Sequence, residues 1–456
     1  MLQLPLILAC IFIFFMLRLD RKQYPEATYA LWIPAIWMLL ITSKGSIAVW
    51  FGAGGEMDEG NSLDRLLLSV LLIIALLILI KKRFNWANHI KDNSWLMVLI
   101  CFTLVTVLWS DMPFVSFKRW IRWTISAVIM AFVVRTEVEP RQALLSVFRR
   151  VVYVNIPLSI IVVRFYGDLG RQYVPWSGDL TWIGVGTHKN ALTALCVFAM
   201  FFLVWTFIRR WRSIEKPTTW YQTYLEVFIF LLAFYLFMGP QHSLTYSSTS
   251  LVCLVIGVAT LLIFNWLKKR NIVLNANLIS IFIGFIILFG TITPFMGHLP
   301  FFDVSEVLNR DSTLTGRADL WDRLVPCAKQ NFLLGYGIGA FWSDLRIDEM
   351  RSMEAHNGYL DVILNYGLVG LILFSIFLLN SSRKAHREII KNSDWGIFWF
   401  CVILMTLIQN IPESSLSPFT GLFRVALLLQ ICCQTGTQSK PIMETDNYAS
   451  CAKVSN

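Results

Sequence analysis

The chain has 456 residues, with 39 Lys and Arg against 29 Asp and Glu for a net charge of +10, 56% hydrophobic residues and only 15% charged ones. A soluble globular chain carries about 25% charged residues and at most about 50% apolar ones, so this composition excludes a soluble enzyme, a disordered scaffold and a nucleic-acid-binding module and indicates an integral membrane protein. Nine cysteines, mostly inside apolar runs and without CxxC spacing, give no sign of a disulfide framework or a structural metal.

Apolar runs close to the ~20 residues that cross a bilayer recur along the chain. Taken in order they are 2–17, 27–42, 63–80, 94–110, 119–135, 149–166, 189–208, 220–239, 249–267, 277–295, 359–380, 395–411 and 419–433, the first and last short enough to be interfacial. The expected fold is an all-α polytopic bundle of about 12–13 transmembrane helices with one long helical outer loop. Residues 1–295 hold the N-terminal helices, 296–358 the large loop, 359–433 the C-terminal helices and 434–456 a polar, disordered tail. The first run has no basic residues before it and no small-residue cleavage site after it, which reads as a retained span.

Basic clusters fall in alternate connections: Arg18/Arg21/Lys22, Lys81/Lys82/Arg83, Arg135/Arg141/Arg149/Arg150, Arg209/Arg210/Arg212, Lys268/Lys269/Arg270 and Arg383/Lys384/Arg387/Lys391. The positive-inside rule makes these connections cytoplasmic and turns the others, including 296–358, outward. A connection this long is usually functional or disordered, and it is the first place to look for a site. Ionisable residues are sparse within the spans, Glu226 lying near an inner end and Arg164 and Arg424 near outer ends, which argues against ion-coupled transport.

The outward face nevertheless keeps Lys118, Arg119, Arg122, Arg171, the His188-Lys189 pair, Arg310, Arg317 and Arg323. Singly, each reads as a solvated residue with local partners such as Asp319 and Asp322. Together they suit an anionic ligand at headgroup depth, because guanidinium groups stay charged and hold phosphate oxygens in a bidentate fork. Within the long loop, 312–326 reads as a short helix capped by Thr315 and stopped by Pro326, with Leu320 and Leu324 as an i,i+4 apolar pair and Arg317 one turn from Trp321. It serves equally as a lid or as an anion-binding surface helix. Gly335-Tyr-Gly-Ile-Gly339 reads as outer-loop turns and not as a phosphate loop. His356, in Glu354-Ala-His-Asn-Gly-Tyr-Leu-Asp361, is expected in the first turn of a helix, whose positive end favours the neutral imidazole that a general base requires. A lone histidine is more often structural, and the same applies to His188, His242 and His298.

Thr315-Gly-Arg317-x-x-x-Trp321, Leu334-Gly-Tyr-Gly-x-Gly339, His356-Asn-x-Tyr-Leu360 and Gly367-Leu-x-Gly-Leu371 resemble the O-antigen ligase and Wzy-type polymerase superfamily. Gly186-Thr-His188-Lys-Asn190 and Trp109-Ser-Asp-x-Pro113-x-x-Ser116-x-x-Arg119 are similar to its exopolysaccharide-polymerase branch. The resemblance spans roughly residues 105–420, and the ordered combination is more specific than any one motif. It implies a glycosyltransferase C-like membrane enzyme on the periplasmic face of a bacterial inner membrane. Such an enzyme moves glycan from an undecaprenyl diphosphate carrier to a sugar hydroxyl, with no cofactor and no metal. The implied partners are the lipid-linked oligosaccharide, an acceptor glycan or lipid A core, and a chain-length regulator and export complex. His356 corresponds to the family's base and Arg317 to its loop arginine. Arg119 and Lys189 match weaker basic positions, and Arg122, Arg171, His188 and Arg310 complete the expected diphosphate-binding set, with Trp321, Asn357 and Tyr359 supporting. Ser247-Ser248-Thr249 departs from relatives that carry a basic residue in the middle. The alternatives are a ligase acting on lipid A core, a transporter or flippase for lipid-linked glycan, and a non-enzymatic organiser of an export complex.

Overall fold

The computed structural model describes residues 3–52, 61–173, 178–217, 219–240, 247–272, 274–296, 317–417 and 420–433. The chain opens with α1 (Gln3–Gln23), α2 (Trp32–Thr42) and α3 (Ser62–Lys81), followed by α4 (Trp86–Asp92) and α5 (Ser94–Val105). The short α4 lies at 94° to the helix that follows it. Next come α6 (Pro113–Trp120) and α7 (Ser126–Arg135), joined through a π-turn, then α8 (Pro140–Phe165) and a one-turn α9 (Gly167–Gly170). A small hairpin of β1 (Arg171–Tyr173) and β2 (Leu180–Trp182) pairs antiparallel, Arg171 opposite Trp182. The rest is α10 (Lys189–Trp211), α11 (Gln222–Met238), α12 (Ser248–Lys269), α13 (Ala276–Met296), α14 (Arg317–Gln330), α15 (Asp344–Met350), α16 (Gly358–Lys391), α17 (Ser393–Gln409) and α18 (Gly421–Cys433).

Each of the thirteen apolar runs has become helix, the arrangement that satisfies backbone polar groups in a solvent without water. Among the described residues six helices are individually long and apolar enough to span a membrane, seven if the bent segment Trp86–Trp109 is one span. Helices 10–17 residues long supply further apolar elements, and the burial of α17 and α18 shows where they belong. Nearly every α17 residue is buried, whereas α3 buries Asp64 in its first turn and a Leu71/Ala75/Leu79 stripe at i,i+4 spacing and turns Leu66, Leu77 and Ile80 outward. The first pattern marks the middle of a bundle and the second its lipid-facing rim.

α16 is broken at Gly367, whose φ is 64°. Residues 331–339 enter the gap: the amides of Tyr336 and Gly337 donate to the carbonyls of Leu364 and Asn365 at 2.9 Å, and the amide of Leu368 donates to Phe332 O at 2.8 Å. A β-carbon on Gly367 would lie 2.2 Å from Leu333 O, and one on Gly335 2.5 Å from Tyr366 N. The glycine segment expected to form turns is thus a backbone splice that fills the hydrogen bonds of a broken span.

α14 also differs from expectation. It begins at Arg317 and runs past Pro326 to Gln330. Leu320, Trp321, Leu324 and Ala328 are all buried, so a continuous apolar stripe outweighs the ~3 kcal/mol usual cost of an internal proline. Thr315 and Arg310 lie outside the described residues.

Candidate active site

At the end of the bundle opposite the basic clusters, called here the outer end after the positive-inside expectation, three connections meet. Residues 410–417 after α17 fold around Asn410, whose Oδ1 accepts from the amides of Ser415 (2.9 Å) and Leu416 (3.1 Å). It seats on the start of α16, where the Gly358 amide donates to Asn410 O at 2.9 Å and Glu413 O at 3.0 Å. Only glycine fits at 358, since a β-carbon would lie 1.9 Å from Asn410 Oδ1.

This seating aims the buried Glu413 carboxylate at both residues singled out from the sequence. Arg317 Nη2 lies 2.7 Å from Glu413 Oε1, which also accepts from Asn190 Nδ2 at 2.8 Å. His356 Nδ1 lies 3.7 Å from Glu413 Oε2 and 3.1 Å from Glu354 Oε1. The supporting residues fix this frame. Trp321 Nε1 donates to Ala355 O at 2.8 Å, Asn357 caps α16 at the Leu360 amide and donates to Ile411 O, and Tyr359 Oη donates to Leu407 O. All three side chains are buried.

His356 is not in the first helical turn: Asn357 is the cap and α16 starts at Gly358, leaving His356 at φ 49° just outside. Nor does its surrounding favour the neutral ring. Burial pulls the imidazole pKa down, but the carboxylates of Glu354 and Glu413 outweigh that and raise it to about 9. Glu413 is shifted the other way: burial would raise it, and His356, Arg317 and His188 together hold it below the usual carboxylate range.

The remaining basic residues are more dispersed. His188 is exposed, with Nδ1 2.9 Å from Thr187 Oγ1, yet close enough to act on Glu413; Lys189 opens α10. Arg119 donates to Gly339 O and lies over the Trp123 ring. Arg122 donates to Gly45 O at 2.6 Å, and Arg171 to Val163 O at 2.7 Å. The centre itself therefore joins Arg317 and His356 to Glu413, Glu354 and Asn190, of which sequence reasoning had assigned no role to the last three. Asn190 lay within a quoted motif, and Glu413 is an acid in an outward connection directly after an apolar run.

Glu354, His356 and Glu413 also place three potential ligand atoms within 4.8 Å of one another. Arg317 on Glu413 and the imidazole of His356 beside both carboxylates are the groups that meet this negative charge within the chain itself.

Fold and site define a polytopic α-helical membrane protein in which a buried carboxylate meets a half-buried arginine and histidine at one end of the bundle. Residues 228–375 match the family model described as O-Antigen ligase. Over 318 residues the chain is 22% identical to the exopolysaccharide production protein ExoQ of Rhizobium meliloti (strain 1021), a match covering 65% of this chain and 65% of that relative's own length, just under two thirds. These matches agree with the resemblance read from the motifs, and Arg317 and His356 both lie inside the segment similar to the O-antigen ligase model.

Proposed function

We propose that the chain is a glycosyltransferase that takes glycan from undecaprenyl diphosphate and joins it to a sugar hydroxyl, polymerising repeat units of an exopolysaccharide or O-antigen at the periplasmic face of a bacterial inner membrane. The observation that carries this reading is the convergence of Arg317 and His356 on Glu413. With Nδ1 turned to the two carboxylates, Nε2 is the nitrogen left to take a proton. As the acceptor oxygen bonds to the anomeric carbon, its proton passes to Nε2, and the carbon–oxygen bond to the diphosphate breaks with its electron pair going to the leaving group. One displacement inverts the anomeric centre. Cationic side chains at the outer end stabilise the developing diphosphate charge, a task often given to a metal ion. Lipid anchors hold both substrates at one depth, which supplies proximity. A chain-length regulator and an export complex are the partners such a polymerase would serve.

The relative's role in exopolysaccharide production supports polymerase over ligase. The description of the family model favours the second reading, transfer of finished polymer to lipid A core. Purified protein incubated with undecaprenyl diphosphate-linked repeat units is expected to give a glycan ladder that His356→Ala abolishes. Product formed only when lipid A core is added would assign a ligase, and no transfer under either condition would return the chain to a transport or scaffold role.

A further inference from the structure

Asp361 stands buried in the first turn of α16, and its carboxylate takes no part in the transfer described above. Donors from three outer segments end on it. Trp342 Nε1 donates to Oδ1 at 2.8 Å, while Oδ2 accepts both the Ala355 amide at 3.1 Å and the Ser414 hydroxyl. Trp342 follows the spliced residues 331–339, Ala355 lies between Glu354 and His356, and Ser414 follows Glu413. Sealed beneath these donors, Asp361 is closed to a substrate; what it can do is hold the three segments against one another.

Each of these contacts is backed by another. Ala355 is buried and pinned at both of its backbone groups, since its carbonyl accepts from Trp321 Nε1 at 2.8 Å. The pin sits directly before His356, whose φ of 49° is strained for any side chain but glycine and persists only where the surroundings fix it. Glu413 is held in the same way: the Gly358 amide takes its carbonyl at 3.0 Å, and Asp361 takes the next side chain along. One helical turn on, Asn365 continues this face of α16, its Oδ1 accepting from the Gly339 amide and its Nδ2 donating to Asp361 O, both at 2.8 Å.

We infer that Asp361 is a positioning residue for His356 and Glu413: by gathering Ala355 and Ser414 on one oxygen, it sets how far the imidazole stands from the carboxylate that also holds Arg317. Its effect on catalysis rests on the function proposed above; the tie between the two segments rests on the hydrogen bonds alone.

Asp361→Asn tests this because it keeps the shape and loses one acceptor. Whichever way the amide turns, its NH2 group faces either the Trp342 Nε1–H or the Ala355 N–H, and one donor is stranded. In the full chain in lipid nanodiscs, Asp361→Asn is expected to speed hydrogen exchange in residues 351–357 and 410–417. It should also lower kcat about tenfold to 100-fold with KM nearly constant, the cost of a misplaced base. Trp342→Phe removes the competing donor and lets the asparagine oxygen return to Ala355 and Ser414. The double variant should therefore regain slow exchange and most of the lost kcat, and Trp342→Phe alone should lower kcat less than Asp361→Asn does. A purely structural acid would give fewer folded molecules of unaltered kcat, and no rescue. Wild-type exchange in both segments of Asp361→Asn would overturn the positioning role, as would wild-type kcat in its folded molecules or a double variant equally impaired. Should Asp361→Asn fail to fold, Ser414→Ala reads the same tie by removing one bond without stranding a backbone donor: exchange in 410–417 should rise and kcat fall, and unchanged values would overturn it. Faster exchange in variants of a chain that transfers no glycan would uphold the tie and remove the proposed enzyme.

Discussion

Two clusters of buried charge sit at opposite ends of this bundle, and they are built on different terms. At the inner end Asp20 accepts from Arg149 Nε at 2.7 Å, Arg150 Nε at 2.9 Å and Ser146 Oγ at 2.6 Å. Glu226 is held by Arg210, Tyr153 and Gln222, and Glu215 by Arg209. Each of these four arginines reaches a carboxylate, Asp20 serving two of them, although Arg149 Nη2, Arg150 Nη1, Arg209 Nε and Arg210 Nε have no hydrogen-bond partner among the described residues. At the outer end Glu413 is shared between Arg317 and His356 while Arg424 has no acid at all among the described residues. Burial alone therefore does not mark a site; the inner acids hold arginines that stay charged, whereas Glu413 is shared between an arginine and a titratable imidazole.

The sharpest way to break this contrast is at the inner end. Asp20→Ala strands two buried guanidiniums and should cost about 3–5 kcal/mol of stability, read as loss of folded protein on heating, with turnover per folded molecule nearly unchanged. If turnover collapses in the molecules that remain folded, the inner cluster is more than structural. Gly367→Ala drives a methyl into the Leu333 carbonyl and should cost at least ~3 kcal/mol, the range for a strained backbone position; Gly367→Ala melting with the wild type would mean the splice is soft. At the outer end Glu413→Gln keeps the shape and removes the charge that holds Arg317 and His356. Transfer should fall on the order of 100-fold, by analogy with other residues that orient a base, with a smaller loss of melting temperature than Asp20→Ala because Arg317 and His356 keep part of their surface in contact with solvent.

The pH profile sharpens the role of His356. A base must be neutral to act, and the carboxylates of Glu354 and Glu413, outweighing the opposing effect of burial, leave it cationic below about 9. The rate of transfer should thus climb roughly tenfold per pH unit and level off near pH 9, and Glu413→Gln should move the plateau to lower pH. A rate that instead falls above pH 9 would make the imidazolium the working form. The smallest effect is expected at Arg171, whose guanidinium serves the Val163 carbonyl: Arg171→Ala should change transfer less than about tenfold.

Helix positions were legible in the sequence because a membrane leaves apolar runs few alternatives. Arg317 and His356 were legible because their motifs are ordered along the chain. Glu413 was not, since it lies far along the chain from His356 in a short loop that only the seating on Gly358 makes adjacent. The expectation of a neutral imidazole failed for the same reason: the local helix end was visible, whereas the distant carboxylate that dominates it was not. Arg424 was noted near an outer end, but its lack of a partner is a property of three packed helices and has no sequence signature. The splice in α16 was half visible, as two glycine-rich segments whose mutual contact no spacing rule connects.

That splice also sets an order of construction. Residues 331–339 leave the ribosome before Leu364 and Leu368, so their amides and carbonyls wait for partners until α16 has entered the membrane. Glu413 arrives later still, after α17, and only then can Arg317 and His356 take up their positions. Residues 317–358, although synthesised before α16 and α17, complete their contacts last, and a nascent chain halted before Asn410 holds a nearly full complement of spans with no assembled centre. Quality control that senses an unfinished outer face would read completion of the last loop as the signal that the protein is whole.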